Sequence, residues 1–293
     1  VNANSRRAAE FRTILRTLQE GNAYPVELNG PAAFNGTISG SFASPSAAGH
    51  LEVRDFTTIL PMEAARDSQP GQTGPVHWDS LVTEIRYSPS QVSVAHATLV
   101  RGNAQAVIDA TVGLTKGRFT ETSPLTVRGS LRNAEIGDVQ ALLGYDYPAS
   151  GRLDANLQLT GTQNNLRGGG HVQLSKATVY GEPNCSVSTD LQFEGGEVQF
   201  PNFRASNPAG EVGATGSFNV RTSTFHFNLR SGAIQLAQVQ LLQEKRIHVE
   251  GTARLEASGS GTPSAPSIDV KVHVRARGHP LLERTLPTHL SPH

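Results

Sequence analysis

The 293 residues balance 25 basic against 25 acidic side chains and show no basic stripe, so the electrostatic footprint of a nucleic-acid binder is missing. A single cysteine, Cys185, excludes an intrachain disulfide and any cysteine-based zinc site. No apolar run approaches the roughly 18 residues of a membrane-spanning helix, and no signal-peptide pattern opens the chain.

In chain order, the first predicted element is a short helix: Phe11, Ile14, Leu15 and Leu18 share one helical stripe that stops at Gly21, a plausible C′ glycine. Strand-like alternation follows Gly30 and Gly40-Ser41, until the Pro- and Gly-rich run PMEAARDSQPGQTGP, Pro61 to Pro75, reads as a surface loop. Trp78, the only tryptophan, opens the next strand, where core packing or a rim position suits it better than a ligand platform. A second helical stripe is Ile136, Val139, Leu142 and Leu143 before Gly144. From Arg152 the period of two is strict: Leu153, Ala155, Leu157 and Leu159 alternate with Arg152, Asp154, Asn156 and Gln158. The same rhythm returns in Leu191 and Phe193, Val198 and Phe200, Phe218 and Val220, Phe225 to Leu229, and Val270 to Val274, with Leu236, Val239 and Leu242 as a third helical stripe. The closing segment HPLLERTLPTHLSPH does not continue the strand rhythm.

These elements repeat. Gly-x(9)-Gly-[Ser/Thr] occurs at Gly30 with Gly40-Ser41, at Gly151 with Gly161-Thr162, and at Gly251 with Gly261-Thr262. Leu15, Leu18 and Tyr24 precede Ile136, Val139 and Tyr145 by 121 residues, and His50, Leu51 and Val53 precede His171, Val172 and Leu174 by the same offset. Val172 and Leu174 match Val272 and Val274 at 100, while Ile85, Tyr87, Val92, Val94 and Phe119 match Leu191, Phe193, Val198, Phe200 and Phe225 at 106. The difference of 15 residues is an insertion in the first copy. The expected organisation is a first repeat unit over 1–133 with the loop insertion near 57–76, a second over 134–233, and a partial third unit with a tail over 234–293. Because the chain opens on Val1 and the third copy stops after about two strands, the sequence reads as a segment of a longer protein.

The expected fold is therefore mainly β, a long antiparallel sheet of repeated units with one greasy and one wet face and short helices between units. Leaving an apolar strand face in water costs on the order of 6 to 12 kcal/mol if about four large side chains stand on it, against a whole-domain stability of about 5 to 15 kcal/mol. Something must cover that face: a second sheet, the sheet curling on itself, or an apolar ligand. End-to-end stacking of repeats favours one continuous sheet and one continuous apolar surface.

The run IGDVQALLGYDYPASGRLDANLQLTGTQNNLRGGGHVQLSKATVYGEP resembles the AsmA/TamB-like envelope proteins, grouped with the bridge-like lipid-transfer proteins. The resemblance lies in a short helix, the start Ser150-Gly151, the turn Gly161-Thr162, and the closing Tyr180-Gly181-x-Pro183, followed by a strand pair around Gly195-Gly196. It covers the chain from about Phe11 to Arg277, although Tyr-Gly-x-Pro is absent from the first and third copies. The resemblance implies an open trough, apolar inside and polar outside, in the periplasm of a cell envelope and anchored in a membrane through a segment outside this chain. Its function would be to carry phospholipid between inner and outer membranes, or to assist outer-membrane protein assembly. Partners would be phospholipid acyl chains and, through flanking regions, membrane components, with no nucleic acid. Acyl chains desolvate at about 0.8 kcal/mol per CH₂, so an even apolar path could shield them without trapping them. The expected lining is Leu153, Leu157, Leu159, Val172, Leu174, Leu191, Phe193, Val198, Phe200, Phe218, Val220, Phe225, Phe227 and Leu229.

No enzymatic constellation emerges, and no catalytic residue, metal site or cofactor is expected. The ten histidines are scattered, and neither His-Glu-x-x-His nor a Gly-Lys-[Ser/Thr] loop occurs. His50 and His171 share a repeat position that Lys271 fills in the third copy, as an outward-facing strand position would allow. Cys185 has no neighbouring base to activate it, and Asn35-Gly36-Thr37 and Asn184-Cys185-Ser186 are sequons short enough to arise by chance. Gly168-Gly169-Gly170 lacks the helix of a phosphate loop and reads as a turn or bulge. A carbohydrate-active enzyme would need clustered carboxylates, whereas Glu194 and Glu197 flank a predicted turn and the others are dispersed. The alternative function is a structural or adhesive β-repeat of the envelope, sandwich or solenoid, with a closed core.

Overall fold

Alternation of apolar and polar residues, interrupted at two-residue turns, gives a chain of antiparallel hairpins. The computed structural model describes residues 2–5, 26–28, 30–41, 44–58, 76–115, 117–143, 147–247 and 249–276. The predicted helix at Phe11 to Leu18, the insertion from Pro61 to Pro75, Gly144 and the tail from His279 lie outside the described residues. The strands are β1 (Asn2–Ser5), β2 (Val26–Leu28), β3 (Ala32–Ser41), β4 (Ser44–Thr58), β5 (Val76–Ser88), β6 (Gln91–Arg101), β7 (Ala104–Gly113) and β8 (Leu125–Glu135), followed by helix α1 (Ile136–Leu143). Then come β9 (Ala149–Thr162), β10 (Asn165–Val179), β11 (Glu182–Gly195), β12 (Glu197–Asn207), β13 (Gly210–Asn219), β14 (Thr224–Ser231), β15 (Ile234–Gln235), a 3₁₀ turn (Leu236–Gln238), helix α2 (Gln240–Glu244), β16 (Gly251–Thr262) and β17 (Ala265–Ala276). Among the described residues the fold is mainly β, an antiparallel sheet not closed into a barrel, with two short helices.

The chain falls into two compact units, Val1–Tyr147 with Asn156–Asn164, and Pro148–Ala155 with Asn165–His293. In the first, β3 to β8 pair consecutively, with β1 beside β3 and β2 beside β4. In the second, β10 to β14 pair consecutively, then β14 pairs with β16 and β16 with β17, while β15 adds a short pairing to β16.

The repeat read from sequence has a structural counterpart. Strands β6 and β7 coincide residue for residue with β12 and β13 at an offset of 106, and the helices begin 100 residues apart, at Ile136 and at the turn of Leu236. The β6 bulge between Val94 and Ala97 recurs in β12 between Phe200 and Phe203. Left-handed Asp55 and Lys176 occupy matching places 121 residues apart. The landmark glycines precede the hairpin turns: Gly40, Gly161 and Gly261 all have positive φ, and a Cβ on Gly40 or Gly261 would collide with the carbonyl across the turn. Tyr180 and Gly181, both left-handed at φ 50° and 84°, form the two-residue connection of β10 to β11, which accounts for the Tyr-Gly pair of the closing motif.

Three expectations about the elements and their matching differ from the structure. Phe119 does not match Phe225: it lies in the long connection between β7 and β8, 49 % exposed, whereas Phe225 is inside β14. Across that connection the offset returns from 106 to 100: Leu125, opposite Val112, matches Phe225, opposite Phe218. Gly168 to Gly170 are neither turn nor bulge but sit within β10 in unbroken register, Gly168 opposite Phe193 and Gly170 opposite Leu191. The third helical stripe is split, because Val239 is extended at φ −78° and ψ 114°, while at its end, which the sequence marks with no glycine stop, Arg246 takes the left-handed position.

Candidate functional site

Residues directly opposite one another in an antiparallel ladder point to the same side of the sheet, so the pairing register maps each face. In the second unit one row reads Gly168, Phe193, Val198, Phe218, Phe225, Gly261, Pro266 across seven strands. A neighbouring row reads Phe200, Gly216, Phe227, Gly259, Ile268, and a third Phe203, Ala214, Leu229, Ala257, Val270. Large side chains alternate with glycine along the second row, and the Phe227 ring lies where a Cβ on Gly259 would stand. Phe225 and Phe227 stack at 6.1 Å between centroids. Glycine here makes room for an aromatic ring to lie over the backbone of the next strand.

The first unit builds the same face. Ile38, Ala47, Tyr87, Val92, Val112 and Leu125 form one row, and Gly49, Ile85, Val94, Ala110 and Val127 the next. One end is packed: Ala32, Val53 and Phe56 are buried, with Leu51, Trp78, Leu81 and Leu99 against them, and the Phe56 and Trp78 rings stack at 6.5 Å. Trp78 is thus half-buried and packs against the core.

The expected lining residues fall on this face with two kinds of exception. Val172, Leu174, Leu191, Phe193, Val198, Phe200, Phe218, Phe225, Phe227 and Leu229 stand on it in the second unit. Of these Leu174 is buried, and the rest are half-buried, each keeping part of its surface open. Leu153, Leu157 and Leu159 lie on β9, buried, half-buried and buried, alternating with exposed Asp154, Asn156 and Gln158. Val220 does not belong with them: β13 ends at Asn219, and Val220 opens the turn that follows, 57 % exposed. Phe203 belongs to the face but escaped the alternation, because the bulge at Pro201 and Asn202 moves the inward position from residue 202 to 203, while Val187 and Val212 also stand on it but are separated from the apolar runs by Thr189 and by Ala214 and Gly216. Proline inside a strand was the available signal.

In neither unit does a second sheet pack over this face among the described residues, where the extensive contacts join neighbouring strands. The helices meet only one end. In the first unit Arg101 Nη2 donates to Asp138 Oδ1 of α1 at 2.8 Å. In the second, Glu182 Oε2 and Oε1 accept from the backbone N–H groups of Gln240 and Leu241 at 3.1 and 3.0 Å, satisfying donors at the start of α2. Full burial of each large side chain would contribute about 1.5 to 3 kcal/mol, so the half-exposed rows retain an unspent driving force for an apolar cover.

The opposite face is polar. His50 Nδ1 lies 2.8 Å from Glu84 Oε1, and His171 Nδ1 lies 2.7 Å from Asp190 Oδ1, on matching strands of the two units. The hydrogen bonds from His171 and then from Asn202 hold the Asp190 carboxyl below its ordinary range. The shared histidine position is thus an outward strand position with a carboxylate partner, a partner that the offset of 106 between Glu84 and Asp190 already encoded. A hollow of about 750 Å³ also opens on this face over Gly213, ringed by Arg204, Glu211, Arg230, Glu256, Asp269 and Lys271. Three cations against three anions give it no net field for a charged ligand. Among the described residues no helix is long and apolar enough to cross a membrane.

No family model, curated protein or solved structure matches this chain.

Proposed function

We propose that this chain is a segment of an AsmA/TamB-like envelope protein that carries phospholipid between two membranes along its apolar face, or uses that face to assist outer-membrane protein assembly. The observation that carries the reading is the unbroken row Phe193, Val198, Phe218, Phe225, made of half-exposed large side chains with no second layer over it among the described residues. The proposal includes a place in the cell envelope, with acyl chains as the direct partner. It needs no chemistry: a lipid tail covers the face, and rows of similar composition let it move without a deep trap.

The test is photocrosslinking through a benzophenone side chain at Phe193 or Phe227, with Gln192 and Asn228 on the polar face as controls, beside native mass spectrometry of the purified chain. Phospholipid should be captured from the apolar positions and not from the polar ones. Phe193→Asp and Phe227→Asp should abolish capture while leaving the circular dichroism of the fold intact. Absence of lipid, with unfolding of both Asp variants, would replace this reading with a structural or adhesive β-repeat that closes its own core.

A further inference from the structure

The two units match closely at the end of the apolar face beside the helix, but not in what fills it. Phe56 follows left-handed Asp55 and pairs with Trp78, while Ala177 follows left-handed Lys176 and pairs with Cys185. Two stacked rings in the first unit are therefore replaced by a methyl group and a thiol in the second. Leu81 and Leu99 become Val187 and Ala205 at the offset of 106. Phe203 and Val212, larger than Ala97 and Ala106, restore part of the lost volume. A pocket of about 370 Å³ remains beside Val239, walled by Cys185, Val187, Ala205, Val212 and Ile234. That volume lies in the lower part of the range of small-molecule pockets, about 300 to 1,000 Å³.

We propose that this pocket holds the methyl end of an alkyl chain whose remainder lies along the apolar face of the second unit. The inference deepens the proposed function and rests on it. Its occupant is apolar because the walls are, and because Glu182 and Asn207 at the rim already have partners within the chain. Glu182 accepts from Gln240, Leu241 and the Asn207 side chain, and Asn207 Oδ1 accepts from the backbone N–H groups of Ala209 and Gly210 at 3.1 Å each. These bonds hold both side chains to the chain's own backbone and to each other, at one edge of a pocket walled by apolar side chains. A chain is favoured over a compact ligand because the pocket walls Val187, Ala205 and Val212 form the row Leu174, Val187, Ala205, Val212 of the face itself. A tail lying on the face reaches the pocket without leaving apolar surface.

Cys185, the only thiol of the chain, reports occupancy. Burial, foremost, and then Glu182 raise its pKa, so alkylation by iodoacetamide is followed at a fixed alkaline pH. Dodecylphosphocholine below its micelle concentration, at about ten times its dissociation constant, should slow alkylation about tenfold, and phosphocholine without the tail should not. Ala205→Leu, which copies Leu99 of the first unit and keeps the thiol, should weaken binding about tenfold, so that protection at the same concentration falls to about twofold while crosslinking at Phe193 and Phe227 persists. If Ala205→Leu misfolds by circular dichroism, Cys185→Trp, read by calorimetric titration of dodecylphosphocholine, takes its place and should lose the binding step. Crosslinking at the face with no protection of Cys185, or with protection unchanged in Ala205→Leu, overturns the pocket alone. Loss of both signals in the unaltered protein overturns the pocket and the proposed function together.

Discussion

The helix-side end of the first unit is filled by its own aromatic rings, while the same end of the second is left with a gap. One backbone plan, down to a matching left-handed residue before the critical pair, thus supports a self-covered core at Phe56 and Trp78 and an open pocket at Ala177 and Cys185. The lesson is that burial in this fold is set locally, by side-chain size at a few paired positions, and not by the sheet as a whole.

The largest effect is expected where the contrast is greatest. Phe56→Ala removes a ring that is only 3 % exposed and should cost about 3 to 5 kcal/mol, read by chemical denaturation with Trp78 fluorescence as the probe of the first unit. The second unit has no ring at the matching place, so its unfolding, followed through the alkylation of Cys185, should stay unchanged; a matching loss there would dissolve the distinction between the ends. Next in size is Gly259→Leu, which thrusts a side chain into the Phe227 ring. Forcing that ring off the strand should cost about 1 to 3 kcal/mol, and a neutral result in thermal melts would mean the row is loosely packed.

The smallest effect belongs to the polar face. Asp190, whose carboxyl sits below the ordinary value of 3.8, contributes stability that is present above that value and lost as pH falls through its lower folded-state pKa. Its exposure keeps the contribution small, so the direct check is the carboxyl titration by NMR. His171→Ala should move that titration back upward, toward the ordinary value, whereas His50→Ala in the first unit should leave it where it was.

Much of this was legible in the sequence, for physical reasons. Strict alternation in Leu153 to Leu159 maps onto one strand because the side-chain period of a strand is two, and the Gly-x(9)-Gly landmark survives because the turn glycines need positive φ. The helical stripe at Ile136, Val139 and Leu142 reappears as α1. What escaped was whatever breaks the period. The bulge at Pro201 and Asn202 hid Phe203, and a glycine run at Gly168 resembled a turn, whereas it faces the large side chains of β11. The pocket could not be read at all, since it depends on comparing Trp78 with Cys185, residues whose equivalence shifts by one when a bulge intervenes.

Among the described residues six hairpin connections are two residues long, at 89–90, 102–103, 163–164, 180–181, 208–209 and 263–264, so the strands they join find their partners almost immediately along the chain. Such a ladder can form hairpin by hairpin along the chain, each strand closing on the one before it. Because most of the pairings join strands adjacent along the chain, a hairpin can be gained or lost by duplication while the pairing of the others is kept.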